Sequence, residues 1–199
     1  KRDWSSDVCS SDQAGVDGIY IFNLFPTEPD ARISRIGARD TLKGLDKVYA
    51  IDPIEPRDFW GFDRAALVVP DRLPIALVPG QVAIAKLSVG ENVAANAPEG
   101  TTAHTHLRIR LNTAAQGDQL FAKLNGKDLG AMAPAEPLGT APAPAWFEVS
   151  VPPQDVSEGE NLVEIRLTAS RAPGVPVLMD RVELTLSYRA DDAPQPSLP

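Results

Sequence analysis

His104 and His106 stand two apart in a run where Thr105, Leu107, Ile109 and Leu111 alternate with His104, His106, Arg108 and Arg110. On a strand, residues two apart project from one face, so both imidazoles are placed to share a metal ion. Zinc needs three or four ligands, however, and the local sequence offers no third while two arginines beside the pair oppose a cation. A strand with one packed and one wet face explains the same residues, and no metal is expected.

Three acids, Glu148, Glu164 and Glu183, raise the chemistry of paired carboxylates, which needs carboxyl groups about 5 to 10 Å apart in a cleft. Each alternates with apolar neighbours on its own run, and Arg166 and Arg181 lie nearby, so solvated sheet faces are the expected setting. No G-x-S-x-G elbow supports a serine nucleophile, and neither a phosphate loop nor a dinucleotide fingerprint is present. No catalytic residue and no cofactor is assigned. The aromatics able to stack on a flat ligand are Phe59, Trp60, Phe62, Phe121, Trp146 and Phe147. Core packing is the expected role for each, because aromatic side chains dominate core burial. The cluster Phe59-Trp60-Gly61-Phe62 is the exception, since adjacent aromatics cannot all face one core.

The elements that must position these residues are mostly strands. Nineteen prolines and fourteen glycines, with 6% aromatics, point to short strands and many turns among 199 residues. Runs suited to strands occur at Val82 to Val89, His104 to Asn112, Gln119 to Leu124, Trp146 to Val151, Asn161 to Thr168 and Val177 to Tyr188. Phe147, Val149 and Val151 share one face of the fourth run, and Val182, Leu184, Leu186 and Tyr188 share one face of the last. Asn125-Gly126 is a hairpin signal, because a type I′ turn needs positive φ at both central positions. These runs predict a sandwich of ordinary size over residues 75–190, with a frayed tail at 191–199.

Before residue 75 the pattern differs. Gly15 to Phe25 reads as a strand buried on both faces, of the kind found in parallel sheets. Thr27 is placed to cap a helix that ends at Gly37, and Asp40 to cap a second that reaches about Leu45 or Tyr49. Residues 14–50 thus form a βα element, and 51–74 a proline-rich crossover with one strand at Ala65 to Val69.

The formal charge of −8 and the absence of a clustered basic face exclude a nucleic-acid surface. No apolar run reaches the roughly 20 residues of a spanning helix. Asp3 to Asp12, DWSSDVCSSD, resembles a sequencing-adapter oligonucleotide translated in one frame. Residues 1–13 are therefore expected to be non-native, the lone Cys9 with them, and the chain to be the C-terminal piece of a larger protein. The compartment stays open, an extracytoplasmic one included.

Two family resemblances follow from these residues. GVDGIYIFNLFP, with the helix after it and DTLKGLDKVYAID, resembles the end of a glycoside-hydrolase-like (β/α)₈ barrel. LFAKLNGKDLG, WFEVSVPP, SEGENLVEIRLT and DRVELTLSY are similar to the galactose-binding-like jelly rolls appended to many such enzymes, Asn125, Gly126, Gly159 and Asn161 matching at turns. Together they imply a mainly β chain, a jelly-roll-like antiparallel β-sandwich preceded by a short βα remnant of a TIM-type barrel. The barrel resemblance places Asn23 at the rim where such folds build active sites and implies a substrate-lining role for it, with Phe25. It puts the catalytic carboxylates on earlier strands that the chain lacks, so the chain is expected to be inactive. The expected role is an accessory sandwich supporting its own missing catalytic barrel. The alternatives are a carbohydrate-binding module and a protein-interaction or cell-surface sandwich.

Overall fold

The computed structural model describes residues 42–51, 73–169 and 176–190. Within them the chain is almost entirely antiparallel β, with ten strands and a single 3-10 turn at Pro153–Asp155. The strands are β1 (Lys47–Ile51), β2 (Ile75–Leu77), β3 (Val82–Val89), β4 (Thr101–Ala114), β5 (Gln119–Leu124), β6 (Lys127–Ala131), β7 (Ala133–Pro134), β8 (Ala143–Val151), β9 (Gly159–Ala169) and β10 (Val177–Ala190).

They divide into two sheets. One has six strands in the order β1-β10-β4-β8-β7, with β2 also pairing β10, and the other has four in the order β3-β9-β5-β6. Period-two patterning explains the arrangement. In β4 the residues Thr105, Leu107, Ile109 and Leu111 are buried, while His104, His106, Arg108 and Arg110 are only half-buried. In β9 Asn161, Val163, Ile165 and Leu167 turn inward, and in β5 Leu120, Ala122 and Leu124 do so. These inward rows join Phe147, Leu184 and Leu186 in one hydrophobic core between the sheets, the expected consequence of pleated strands with one apolar face each.

β10 contains a departure from strict alternation that the core requires. Val177 and Met179 are buried, and so are Val182, Leu184 and Leu186, so the inward parity changes between Met179 and Val182. A register shift falls between Met179 and Arg181, where β10 pairs with β4. One extra residue at this bulge sends Asp180 and Arg181 to the outer face and returns Val182 to the core.

The six strand runs expected from the sequence all occur, with ends displaced by a few residues. The Asn-Gly hairpin also forms: Leu124 pairs with Lys127, and Asn125 and Gly126 carry φ of 52° and 79°. One expectation is corrected. The helix proposed to run from Asp40 as far as Tyr49 is instead a turn at residues 42–44, followed by β1, whose Lys47–Ile51 pair residue by residue with Leu186–Val182 of β10. Lys47 and Tyr49 are buried and Val48 and Ala50 are not, so alternation against a ready sheet edge overrides weak helix propensity here. The expected Gly15 to Phe25 strand, the helix closed by Gly37 and the Ala65 to Val69 strand lie outside the described residues.

Candidate functional site

The outer face of the six-stranded sheet carries the greatest concentration of chemically distinctive side chains. Cross-strand register builds it. Glu183 of β10 lies opposite Arg108 of β4, and Arg108 lies opposite Glu148 of β8. One step along, Arg181 faces Arg110, which faces Trp146. Directly opposed side chains on one face approach within about 5 Å at Cβ, so these rows must interact.

They do so in two distinct ways. Arg110 forms a two-pronged bond with Asp180, Nε to Oδ1 at 2.8 Å and Nη2 to Oδ2 at 3.1 Å, a geometry that uses the guanidinium fork fully. Arg108 is held more loosely: Nε lies 3.6 Å from Glu148 Oε2 and Nη1 lies 3.5 Å from Glu183 Oε2. Its Nε is buried and makes no hydrogen bond among the described residues. Arg181 approaches the other oxygen of Glu183, Nε to Oε1, at 2.7 Å. The bulge at Asp180 is what places both Asp180 and Arg181 on this face.

Trp146 completes the face. The Arg108 guanidinium carbon sits 4.7 Å from the indole centroid and that of Arg110 5.8 Å, both within cation–π range. Next to the indole is a cleft of about 210 Å³ lined by Arg108, Ala114, Trp146 and residues 135–139 and 143–145. The first of these segments is tied to the sheet, Ala135 N donating to Trp146 O and Gln116 N to Gly139 O, each at 2.8 Å.

His104 and His106 do share this outer face, opposite Ser187 and Thr185 of β10. No group of three or more His, Cys, Asp or Glu set to hold a metal ion is found among the described residues. Glu148 and Glu183 flank one guanidinium, and Glu164 is on the other sheet, so the three acids do not converge. Among the aromatics, Phe147 is fully buried in the core, whereas Trp146 is half-buried on the outer face and Phe121 is exposed, against the expected core role. Asn23, Phe25, Phe59, Trp60 and Phe62 lie outside the described residues.

Asn125 and Asn161 serve the fold. Asn161 is fully buried; its Oδ1 accepts from Ser157 N and from Asn125 Nδ2, and its Nδ2 donates to Ser157 O and Gly159 O. Asn125 Oδ1 accepts from Leu162 N. These side chains replace backbone partners at the end of the four-stranded sheet, as buried polar groups require.

Two features were missed in the sequence. The first is a buried ion pair, Lys47 Nζ to Glu91 Oε1 at 2.7 Å, with Tyr49 donating to the same carboxylate oxygen at 3.3 Å and Lys47 also bonding Leu42 O. Sequence distance hides it. The second is a set of exposed apolar side chains on the outer face of the four-stranded sheet, where Val82, Ile84, Phe121 and Leu162 are 42%, 54%, 40% and 41% exposed. Its signal was present in β3, where Val82-Ala83-Ile84-Ala85 is apolar at both parities. Beside Phe121, Lys123, Asp128, Glu164 and Arg166 border a second cleft of about 210 Å³.

No protein-family model matches the chain, and no curated protein is similar to it. No helix among the described residues is long and apolar enough to cross a membrane.

Proposed function

We propose that the chain is the barrel end and non-catalytic accessory sandwich of a glycoside-hydrolase-like protein, the sandwich supporting a catalytic barrel by packing against it. The observation that carries the reading is the outer face of the four-stranded sheet. Val82 and Ile84 on β3, Leu162 on β9 and Phe121 on β5 stand exposed on the solvent side of adjacent strands. Several large apolar side chains left exposed on one sheet face suit a surface that meets another protein body. Charged residues are interspersed with them: on β9 Arg166 stands between Val82 and Phe121 and Glu164 between Ile84 and Lys123, and Lys86 lies opposite Leu162. The sequence resemblances support the same reading: the barrel-like segment precedes the sandwich, and Asn125, Gly126, Gly159 and Asn161 occupy turn or network positions that a galactose-binding-like jelly roll uses.

The test is calorimetric and uses the longer protein encoded once the reading frame upstream of Gly15 is recovered. Docking couples the sandwich to the barrel, so the two melt together. Replacing Ile84→Ser and Phe121→Ser is expected to split that transition in two while leaving the isolated chain folded. A single unchanged transition in the double variant overturns the docking face. A second reading, carbohydrate binding, is favoured by one separate observation, the Trp146 cleft on the opposite face.

A further inference from the structure

We infer that the cleft beside Trp146 binds the end of a neutral carbohydrate, with Trp146 as the stacking surface and Arg108 as the donor to sugar hydroxyls. The inference deepens the carbohydrate reading and does not depend on the docking face.

Four observations lead there. First, Arg110 and Arg108 are neighbours on one strand, yet only Arg110 has its fork filled, at 2.8 and 3.1 Å; Arg108 stands 3.5 and 3.6 Å from its two carboxylates. Hydrogen bonds to ionised groups close to about 2.7 to 2.9 Å when they are the intended partners, so Arg108 retains donor capacity. Second, donor and acceptor groups stand close together here: Arg108 lies opposite Glu148, and Arg108 and Glu136 both line the cleft. A ligand with adjacent hydroxyls, each both donor and acceptor, satisfies a guanidinium and a carboxylate at once. A carboxylate ligand satisfies only the first and meets Glu148, Glu136 and a chain of net charge −8.

Third, the walls mix apolar and polar surface and are held in place. Pro137, Leu138 and Pro144 line the cleft together with the indole, and the backbone bonds from Ala135 and Gln116 hold the loop against the sheet. A mixed wall suits a sugar, which has apolar C–H faces and polar hydroxyls, and a preformed cleft avoids ordering costs. Fourth, about 210 Å³ is below the roughly 300 Å³ at which drug-sized pockets begin, room for one sugar ring rather than a run of them. A chain end is the fitting ligand.

The experiment is isothermal calorimetry on the full chain, after a printed array of neutral oligosaccharides has named the best-bound sugar. Calorimetry avoids the fluorescence of Trp4 and Trp60. The expected result is one site that recognises a non-charged chain end. Trp146→Ala and Arg108→Met should each weaken it at least tenfold, while Trp146→Tyr, which keeps an aromatic face, should stay within a few-fold and also controls for folding. Ile84→Ser with Phe121→Ser should leave it unchanged, so failure of the docking face and failure of the sugar site are read separately. Absence of binding across the array overturns the inference. So does binding that survives both Trp146→Ala and Arg108→Met, or a site that takes only uronate-ended sugars or proline-rich peptide.

Discussion

Asn161 shows how one buried polar side chain can hold a fold together. Its amide makes four hydrogen bonds to Ser157, Gly159 and Asn125 from a fully buried position. Asn161→Ala leaves several of these groups without partners inside the protein, and we expect a loss of about 2 to 3 kcal/mol, read as a lower urea midpoint. Tyr188 is the opposite case. Its hydroxyl is buried and makes no hydrogen bond among the described residues, and burial, with Glu91 and Asp46 adding negative potential, pushes its phenol well above the ordinary value of 10.0. The folded state holds this proton more tightly than the unfolded chain does. The associated stability is therefore complete below about pH 10 and falls as the pH rises beyond that, where only the unfolded phenol ionises. Tyr188→Phe is expected to melt near wild type at pH 7 and to lose less stability between pH 9 and 11. A variant as alkali-sensitive as wild type would contradict this. At this scale the turn residues were legible in the sequence, because Asn125 and Gly126 follow from backbone sterics alone. The Lys47 and Glu91 pair was not, because nothing local joins residues so far apart.

Strand parity decides most of what happens at the level of elements. The sequence shows β4 plainly, since its apolar and polar residues alternate without interruption. β1 was misread because Asp40, Thr41 and Leu42 mimic a helix start, whereas pairing with β10 determines the outcome. The bulge in β10 was legible as the change of apolar parity between Met179 and Val182, and it carries a consequence. Deleting Asp180 removes the extra residue, so Met179, Arg181 and Val182 follow strict alternation against Leu111, Arg110 and Ile109, and the buried residues of β10 keep their face. We expect that deletion to leave cooperative unfolding intact, measured by near-ultraviolet circular dichroism, while removing the two-pronged hold on Arg110, whereas Asp180→Asn should keep the bulge and only weaken that hold. The pair Lys47 and Glu91 ties β1 to the segment after β3. Glu91→Gln strands a buried ammonium and is expected to cost about 3 to 5 kcal/mol, seen as a fall in melting temperature.

Across the whole molecule, the two sheets share one core and offer two outer faces of opposite character. The six-stranded face carries paired charges beside an indole; the four-stranded face leaves Val82, Ile84, Phe121 and Leu162 exposed among Glu164 and Arg166. Two-sheet architecture was readable from six alternating runs. The division of labour between faces was not, because it depends on which strands lie side by side, and register is set by long-range pairing. In the proposed reading, one face meets a ligand and the other a protein body. The most direct measurement is hydroxyl-radical footprinting of Phe121 and Leu162, in the chain alone and in the longer protein continued upstream of Gly15. Docking through the four-stranded sheet calls for strong labelling of both residues in the chain alone and clear protection in the longer protein, with Trp146 labelled alike in both. Equal labelling of Phe121 and Leu162 in the two proteins would contradict it.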